Sequence, residues 1–221
     1  FKDADFDRSI GVVVLTGAGD KAFCTGGDQS THEGGYGGRG TIGLPIEEVQ
    51  SVIRDIAKPV IARVNGYAIG GGNVLVTLCD LAIASETAQF GQVGPKVGSV
   101  DPVFGKAMLA RVVGEKKARE IWYLCRRYTA QEALAMGLIN AVVPPERLDE
   151  EVRRWCDEIL EKSPTAIALA KKSFNVDTEM IRGMGALAMQ ALRLYYETPE
   201  SAEGVRAFQE KRKPDFRKYV K

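Results

Sequence analysis

The sequence predicts an α/β core followed by a helical C-terminal portion. Two observations support this fold class. A continuous apolar, β-branched run at residues 11–15 and a mostly apolar strand at residues 60–64 alternate with segments of helical periodicity. After Gly98 the pattern becomes almost entirely helical. Continuous apolar runs are typical of strands buried on both faces of a parallel sheet, and alternation with helices is typical of right-handed crossovers.

The first half of the chain can be assigned element by element. The strand at residues 11–15 ends at a glycine-containing turn, and residues 23–39 are predicted to be a glycine-rich loop. Ile46, Val49, Ile53 and Ile56 have helical spacing, and Pro59 disfavours the helical conformation at Lys58. Then follow a strand at 60–64, a turn at 66–72, a helix at 73–79, a strand at 80–84 and a short strand at 88–91.

The second half is predicted to be helical, with breaks at Gly114 and Gly137. Leu148, Val152, Trp155 and Ile159 fall on one amphipathic face, and residues 187–197 form a further predicted helix. We therefore divide the chain into a core, residues 1–140, and a helical region, residues 141–221. Surplus apolar helix faces suggest an oligomer.

Composition excludes several classes of function. The 30 basic and 29 acidic residues give a net charge of +1, so we expect neither a nucleic-acid partner nor a membrane partner. Four scattered cysteines and one histidine argue against a metal site, and we expect reduced thiols in a cytoplasmic protein without a secretory signal.

Two glycine-rich motifs carry the candidate chemistry: AFCTGGDQ at residues 22–29 and GYAIGGGN at residues 66–73. Glycine lets a ligand approach backbone N–H groups, and a helix N-terminus adds unpaired donors. Two such donors aimed at one point would form an oxyanion hole. The alternative is that both motifs are simple tight turns. A phosphate loop is disfavoured because no GK[ST] follows.

Ser99 and Asp101 are a second candidate feature. Their spacing lets both side chains project to one side, where a carboxylate could move a proton through a hydroxyl or a water molecule. The alternative is that Asp101 caps the helix expected to start near Pro102.

The ordered motifs VVVLTG at 12–17, AFCTGGD at 22–28, KPVIA at 58–62 and GYAIGGG at 66–72 closely resemble the crotonase (enoyl-CoA hydratase/isomerase) superfamily. The resemblance implies a coenzyme A thioester as substrate, with its carbonyl held by the N–H groups of Gly27 and Gly71. Gly26, Asp28 and Gln29 would contact the coenzyme A portion. It implies no separate cofactor, and an assembly of three or six subunits. It also implies a strand–helix segment ahead of Phe1 that carries further coenzyme A contacts.

The proton-transferring groups differ from those of the family's hydratases. The positions of the two hydratase glutamates correspond to Val74 and Gly94, so hydration is disfavoured. GPKVGSVD at 94–101 and GEKKAREIW at 114–122 resemble a subgroup of 1,4-dihydroxy-2-naphthoyl-CoA synthases and 2-ketocyclohexanecarboxyl-CoA hydrolases. The resemblance assigns Ser99 and Asp101 to the reacting carbons.

Two C-terminal segments extend this resemblance. LYYET at 194–198 would supply a catalytic tyrosine, Tyr196, often to a neighbouring subunit's site. FQEKRKPDF at 208–216 would contact coenzyme A through Lys211 and Phe208. The alternative for Tyr196 is a buried residue of a helix, and the alternative for residues 208–216 is a solvated basic tail.

Within the subgroup, the ring-opening hydrolase is the better match. The synthases have a lysine and an arginine where this chain has Ser30 and His32, and a threonine where it has Val93. The expected pocket lining consists of Tyr36, His32, Val93 and Gly94. The synthase, a thioesterase and a non-catalytic protein of the same fold remain alternatives.

Overall fold

The computed structural model describes residues 1–28, 36–101 and 104–220. The strands in these residues are β1 Val13–Thr16, β2 Ala22–Cys24, β3 Val60–Val64, β4 Tyr67–Ile69, β5 Leu81–Ser85, β6 Gln89–Gly91, β7 Arg127–Thr129 and β8 Ala141–Val143. The helices are α1 Lys2–Phe6, α2 Ile46–Asp55, α3 Gly71–Leu78, α4 Gly94–Val97, α5 Phe104–Val113, α6 Glu115–Leu124, α7 Ala130–Ala135, α8 Leu148–Leu160, α9 Pro164–Val176, α10 Glu179–Gly183, α11 Gly185–Tyr196 and α12 Pro199–Gln209. Short 3-10 helices occupy Pro145–Arg147 and Arg217–Tyr219.

The strands form two four-stranded sheets. The first has the order β1-β3-β5-β8 and is parallel throughout, with Val13 opposite Val60 and Ile61 opposite Leu81. The second has the order β2-β4-β6-β7, in which only the β6–β7 pair is antiparallel. The predicted α/β class is confirmed, and β8 lies just beyond residue 140 yet completes the first sheet.

The two central strands of the first sheet, β3 and β5, are buried on both faces. Ile61 and Ile83 pack against Leu148 and Val152 of α8, whereas Ala62 faces the main core. That core fills the space beneath the second sheet and contains Phe23, Phe90, Leu109 and Tyr128. This burial explains why β3 is mostly apolar, with Arg63 as its one charged residue, rather than alternating between apolar and polar residues.

Three local expectations were wrong. The predicted loop at 23–39 begins with two residues of β2, the predicted turn at 66–72 contains β4, and the helical second half contains β7 and β8. These strands are three residues long, too short for a period of two to appear in the sequence. They are defined instead by their partners, such as Phe90 opposite Tyr128.

The C-terminal helices are tied to the core by a buried cation. The Lys171 ammonium on α9 donates to the carbonyls of Ile53 and Lys58 at 2.8 and 3.0 Å, and to the Asp80 carboxylate at 2.7 Å. Within the described residues, no helix combines the length and apolar character needed to cross a bilayer.

Candidate active site

A cavity of about 420 Å³ lies between the two glycine turns, α2, α4 and α11. Its lining includes the following residues singled out from the sequence: Gly26, Gly27, Asp28, Tyr36, Gly71, Val93, Gly94, Ser99, Asp101 and Tyr196. One wall is apolar and is formed by a cluster around Ile42, Met189 and Leu192. The structure therefore brings most of the candidate residues to one place.

The two glycine turns meet backbone to backbone. A Cβ atom added to Gly71 would lie 3.3 Å from the Gly26 Cα atom, and one added to Gly72 would lie 1.8 Å from the Cys24 carbonyl oxygen. Gly26 has φ +96° and Gly70 has φ +58°, conformations that L side chains rarely adopt. Close approach and turn geometry together explain why both motifs are rich in glycine.

Helix α3 begins at Gly71, directly beside this contact. The N–H groups of a first helical turn have no carbonyl partner within the helix, and they carry positive partial charge. Just before the helix, the Gly70 N–H donates to the Gly91 carbonyl at 2.9 Å, which joins the turn to the end of β6. Gly71, which lines the cavity, is therefore anchored by a fixed turn.

Tyr36 covers the first glycine turn. A Cβ atom added to Gly27 would lie 2.3 Å from the Tyr36 hydroxyl oxygen, so the ring occupies the space that a side chain would need. Tyr36 also packs against the apolar cluster. The expected place of Tyr36 in the pocket lining agrees with this geometry.

The Asp101 carboxylate serves as a helix cap and as part of the cavity wall. Its Oδ2 accepts from the backbone N–H of Lys106 on α5 at 3.0 Å. A Cβ atom added to Gly105 would lie 2.3 Å from Asp101 Oδ2 and 2.6 Å from the Val74 Cγ2 atom, so both atoms are close to this glycine. The helix cap considered from the sequence is thus present, and the same carboxylate lines the cavity, whereas its role in proton transfer stays a prediction.

Burial raises the pKa of Asp101 from 3.8 to about 6, although the Lys106 charge and backbone hydrogen bonds act in the opposite direction. A carboxylate with a pKa just below neutrality is largely ionised at pH 7 and is still a usable base.

Ser99 pairs with Tyr196 and not with Asp101. The Ser99 and Tyr196 hydroxyls lie 2.8 Å apart, with either as the donor. The Asp101 carboxylate turns toward the first turn of α5, and the expectation that Ser99 and Asp101 act together on a water molecule stays a prediction. Burial raises the pKa of Tyr196, the Ser99 hydrogen bond lowers it, and the Asp101 charge raises it. Tyr196 lines the cavity of its own chain.

Trp122 and Gln92 are cavity residues that sequence reasoning missed. Trp122 Cζ3 lies 3.4 Å from the position of an added Cβ on Gly94, so its ring fills space beside this glycine. Gln92 donates to the buried Asn73 side chain at 3.1 Å, behind the second glycine turn. Gln92 adjoins the predicted pocket residue Val93, which was a local signal for it, whereas only the fold brings Trp122 against Gly94.

Several predicted residues lie elsewhere. Lys211 and Phe208 are exposed at the end of α12 and do not line the cavity. Gln29, Ser30 and His32 are outside the described residues. In the part of the chain that the structure describes, no three His, Cys, Asp or Glu side chains form a group that could hold a metal ion.

Comparison with known proteins gives a consistent result. A family model described as enoyl-CoA hydratase/isomerase matches residues 1–219. A methylmalonyl-CoA decarboxylase in complex with 2-nitronate-propionyl-CoA is 30% identical, with a TM-score of 0.80 over 97% of this chain and 84% of that one. An enoyl-CoA hydratase from Mycobacterium avium subsp. paratuberculosis K-10 is 30% identical, with a TM-score of 0.82 over 97% and 83%. An enoyl-CoA hydratase/isomerase from Pseudoalteromonas atlantica T6c is 26% identical, with a TM-score of 0.85 over 97% and 85%.

Proposed function

Because the chain belongs to the enoyl-CoA hydratase/isomerase (crotonase) family, we propose that it acts on a coenzyme A thioester and opens the ring of a cyclic β-keto substrate with water. The model substrate is 2-ketocyclohexanecarboxyl-CoA, and the product is pimeloyl-CoA. One observation carries this choice: the Asp101 carboxylate and the Ser99–Tyr196 pair face the same cavity as the two glycine turns.

The glycine turns would hold the thioester carbonyl. Gly27 and Gly71 both line the cavity, and the neighbouring Gly26 and Gly71 backbones are in contact. Their N–H groups would stabilise negative charge on the thioester oxygen, and one such donor is typically worth about 10²–10³ in rate. The position of Gly71 at the start of α3 favours this charge further.

Asp101 would act as the general base. With a pKa of about 6 it is ionised at pH 7 and can remove a proton from water as that water attacks the ring ketone. The bond between the former ketone carbon and the α-carbon then breaks, and its electron pair moves onto the thioester oxygen as an enolate. The attacked carbon becomes the new carboxylic acid.

Tyr196 would protonate the enolate. Its hydroxyl, hydrogen-bonded to Ser99 at 2.8 Å, would give its proton to the α-carbon and be reprotonated from the proton that Asp101 accepted. One water molecule is consumed, and its atoms end on the new carboxyl group and the α-carbon. Each step uses these side chains and backbone groups, so the scheme requires no cofactor beyond the coenzyme A of the substrate.

The cavity lining supports a neutral, compact acyl group. Ile42, Met189 and Leu192 form an apolar wall that suits a saturated ring. Val93 and Gly94 also line the cavity and carry no hydroxyl or carboxyl group, which favours ring opening over the synthase alternative. Val74 and Gly94, the positions of the hydratase glutamates, cannot transfer a proton.

The coenzyme A contacts and the assembly belong to the same proposal. Gly26, Asp28 and Gln29 would contact the thioester arm, and Lys211 and Phe208 would contact the phosphates and the adenine. We also propose a trimer or hexamer, because Phe174, Met180 and Leu187 expose more than half of their surface on the C-terminal helices. Light scattering after size exclusion would measure the subunit number, and a monomer would contradict this assembly.

The test is the product formed from 2-ketocyclohexanecarboxyl-CoA. Mass spectrometry should find a product that has gained one water and still carries coenzyme A. Free coenzyme A thiol would instead identify a thioesterase, and an unchanged substrate would support a non-catalytic protein. A naphthoyl-CoA product formed from o-succinylbenzoyl-CoA would identify the synthase. Any of these three outcomes would overturn the assignment.

A further inference from the structure

The two hydroxyls of the Ser99–Tyr196 pair come from segments far apart in the chain, yet both segments are attached to the first turns of α12. Tyr196 ends α11, and two residues later Thr198 is the N-cap of α12. Gly98, the residue before Ser99, packs against Ser201 and Gly204 of the same helix. The geometry of the pair thus depends on how α12 meets the end of α4.

The contact between α12 and α4 is a reciprocal glycine contact. A Cβ atom added to Gly204 would lie 2.2 Å from the Gly98 nitrogen, and one added to Gly98 would lie 2.2 Å from the Ser201 carbonyl oxygen. Gly98 is also the C-cap of α4 with φ +71°, a left-handed conformation that favours glycine. Neither position has room for a side chain, so the two backbones have little freedom to slide.

Ser201 links both sides of this contact. Its hydroxyl is buried and donates to the Gly98 carbonyl at 2.6 Å. Its backbone N–H donates to the Thr198 hydroxyl at 3.2 Å, and that hydroxyl donates to the Tyr195 carbonyl at 2.7 Å. A chain of hydrogen bonds therefore runs from the residue beside Tyr196, through Ser201, to the residue beside Ser99.

We infer that Ser201 is a positioning residue, which with Gly98 and Gly204 fixes the distance between the Ser99 and Tyr196 hydroxyls. Ser201 does not line the cavity and touches no reacting atom. It acts through Ser99 and Tyr196, and its role therefore rests on the proposed function of these two residues. Misplacement of a reacting group by about 1 Å can reduce a rate by about a hundredfold.

The test is a double-mutant cycle of Ser201→Ala and Tyr196→Phe. Alone, Ser201→Ala should lower kcat by about ten- to a hundredfold with KM nearly unchanged. In the Tyr196→Phe background it should change kcat by less than about twofold, since the pair it positions is already lost. Equal loss in both backgrounds would show a general structural role and would overturn the inference.

Two further measurements keep the result interpretable. Ser85→Ala removes another buried serine hydroxyl, which is paired with Thr87 at 2.8 Å away from the cavity, and it should leave kcat unchanged. Ser201→Cys keeps a weak donor at the same position and should recover part of the lost rate. If Ser201→Ala does not fold, this cysteine variant takes its place in the cycle.

The cycle is run on two reactions, so that failure of the positioning role is distinct from failure of the proposed function. One is ring opening of 2-ketocyclohexanecarboxyl-CoA, and the other is deuterium exchange at the α-carbon of pimeloyl-CoA in D₂O. Exchange without ring opening would refute the proposed substrate while still testing Ser201. If the wild-type protein catalyses neither reaction, both proposals are overturned.

Discussion

Replacing Asp101 by Asn separates the two roles of this carboxylate, because asparagine keeps the shape of the side chain and loses its charge. An amide oxygen at this position can still accept the Lys106 N–H that now bonds to Oδ2 at 3.0 Å. It cannot accept a proton from water at neutral pH. The variant should therefore retain the cap on α5 and the walls of the cavity while it loses the proposed base.

The stability change follows from the pKa of the carboxyl. The pKa of Asp101 rises from 3.8 in the unfolded chain to about 6 in the folded one, which means that the folded state holds the proton more tightly. The wild-type protein therefore loses stability as the pH rises from about 4 to about 6. At pH 7 the ionised carboxylate costs about 3 kcal/mol, so Asp101→Asn should be more stable by about that amount. At pH 4 the gain should fall below about 1 kcal/mol.

Urea unfolding at pH 7 and pH 4, combined with turnover of the ring substrate, measures both effects. Asp157→Asn, a change at an exposed position of α8, is the matched control and should show no such pH-dependent gain. Turnover should vanish in Asp101→Asn while substrate binding persists. Unchanged or lower stability at pH 7 would refute the account of the buried charge, and retained turnover would refute the assignment of the base.

Three other changes have definite expected outcomes. Tyr196→Phe should lower kcat by about 10²–10⁴ in steady-state kinetics with little change in KM, and a loss below about tenfold would contradict its role as proton donor. Gly72→Ala would place a Cβ atom 1.8 Å from the Cys24 carbonyl oxygen and should lower stability by about 1–3 kcal/mol in thermal unfolding, whereas Gly183→Ala, with nothing within 4 Å, should not. Glu203→Gln should lower Tm at pH 7, because the buried Glu203 carboxylate accepts from Arg212 at 2.6 and 3.1 Å. Since Arg212 lowers the pKa of Glu203 to about 2, the difference in Tm should narrow as the pH falls from 4.5 toward 2, and a pH-independent difference would argue against a charge effect.

The parts of the fold that were predictable from the sequence are the long, strongly patterned elements. The mostly apolar sequence of β3, in which Arg63 is the one charged residue, and the helical spacing in α2 and α8 each reflect burial that is visible in the sequence pattern. The three-residue strands β2, β4 and β7 leave no such record. Their conformation depends on pairing with strands far along the chain, such as Cys24 with Ala68, and this information is not local.

The candidate site also has parts that were predictable from the sequence and parts that were not. The glycines could be identified because positive φ angles and close backbone contact leave no room for a side chain, as at Gly72, where an added Cβ atom would lie 1.8 Å from the Cys24 carbonyl oxygen. The hydrogen bond between Ser99 and Tyr196 could not be predicted, since the two residues are 97 positions apart and no local pattern connects them. Trp122 was missed for the same reason, because only the fold brings α6 against Gly94.

The contact between Gly26 and Gly71 has a consequence for how this scaffold can change over evolution. The proposed site for the thioester oxygen is made of backbone N–H groups. A substitution of a neighbouring side chain does not remove them. The groups proposed to move protons are ordinary side chains on other segments, at positions such as 101 and 196, and each can be exchanged by a single mutation. A lineage could therefore acquire a new reaction in a few steps while substrate capture is inherited intact. Laboratory evolution of this chain should accordingly be directed at the cavity side chains, with the two glycine turns held constant.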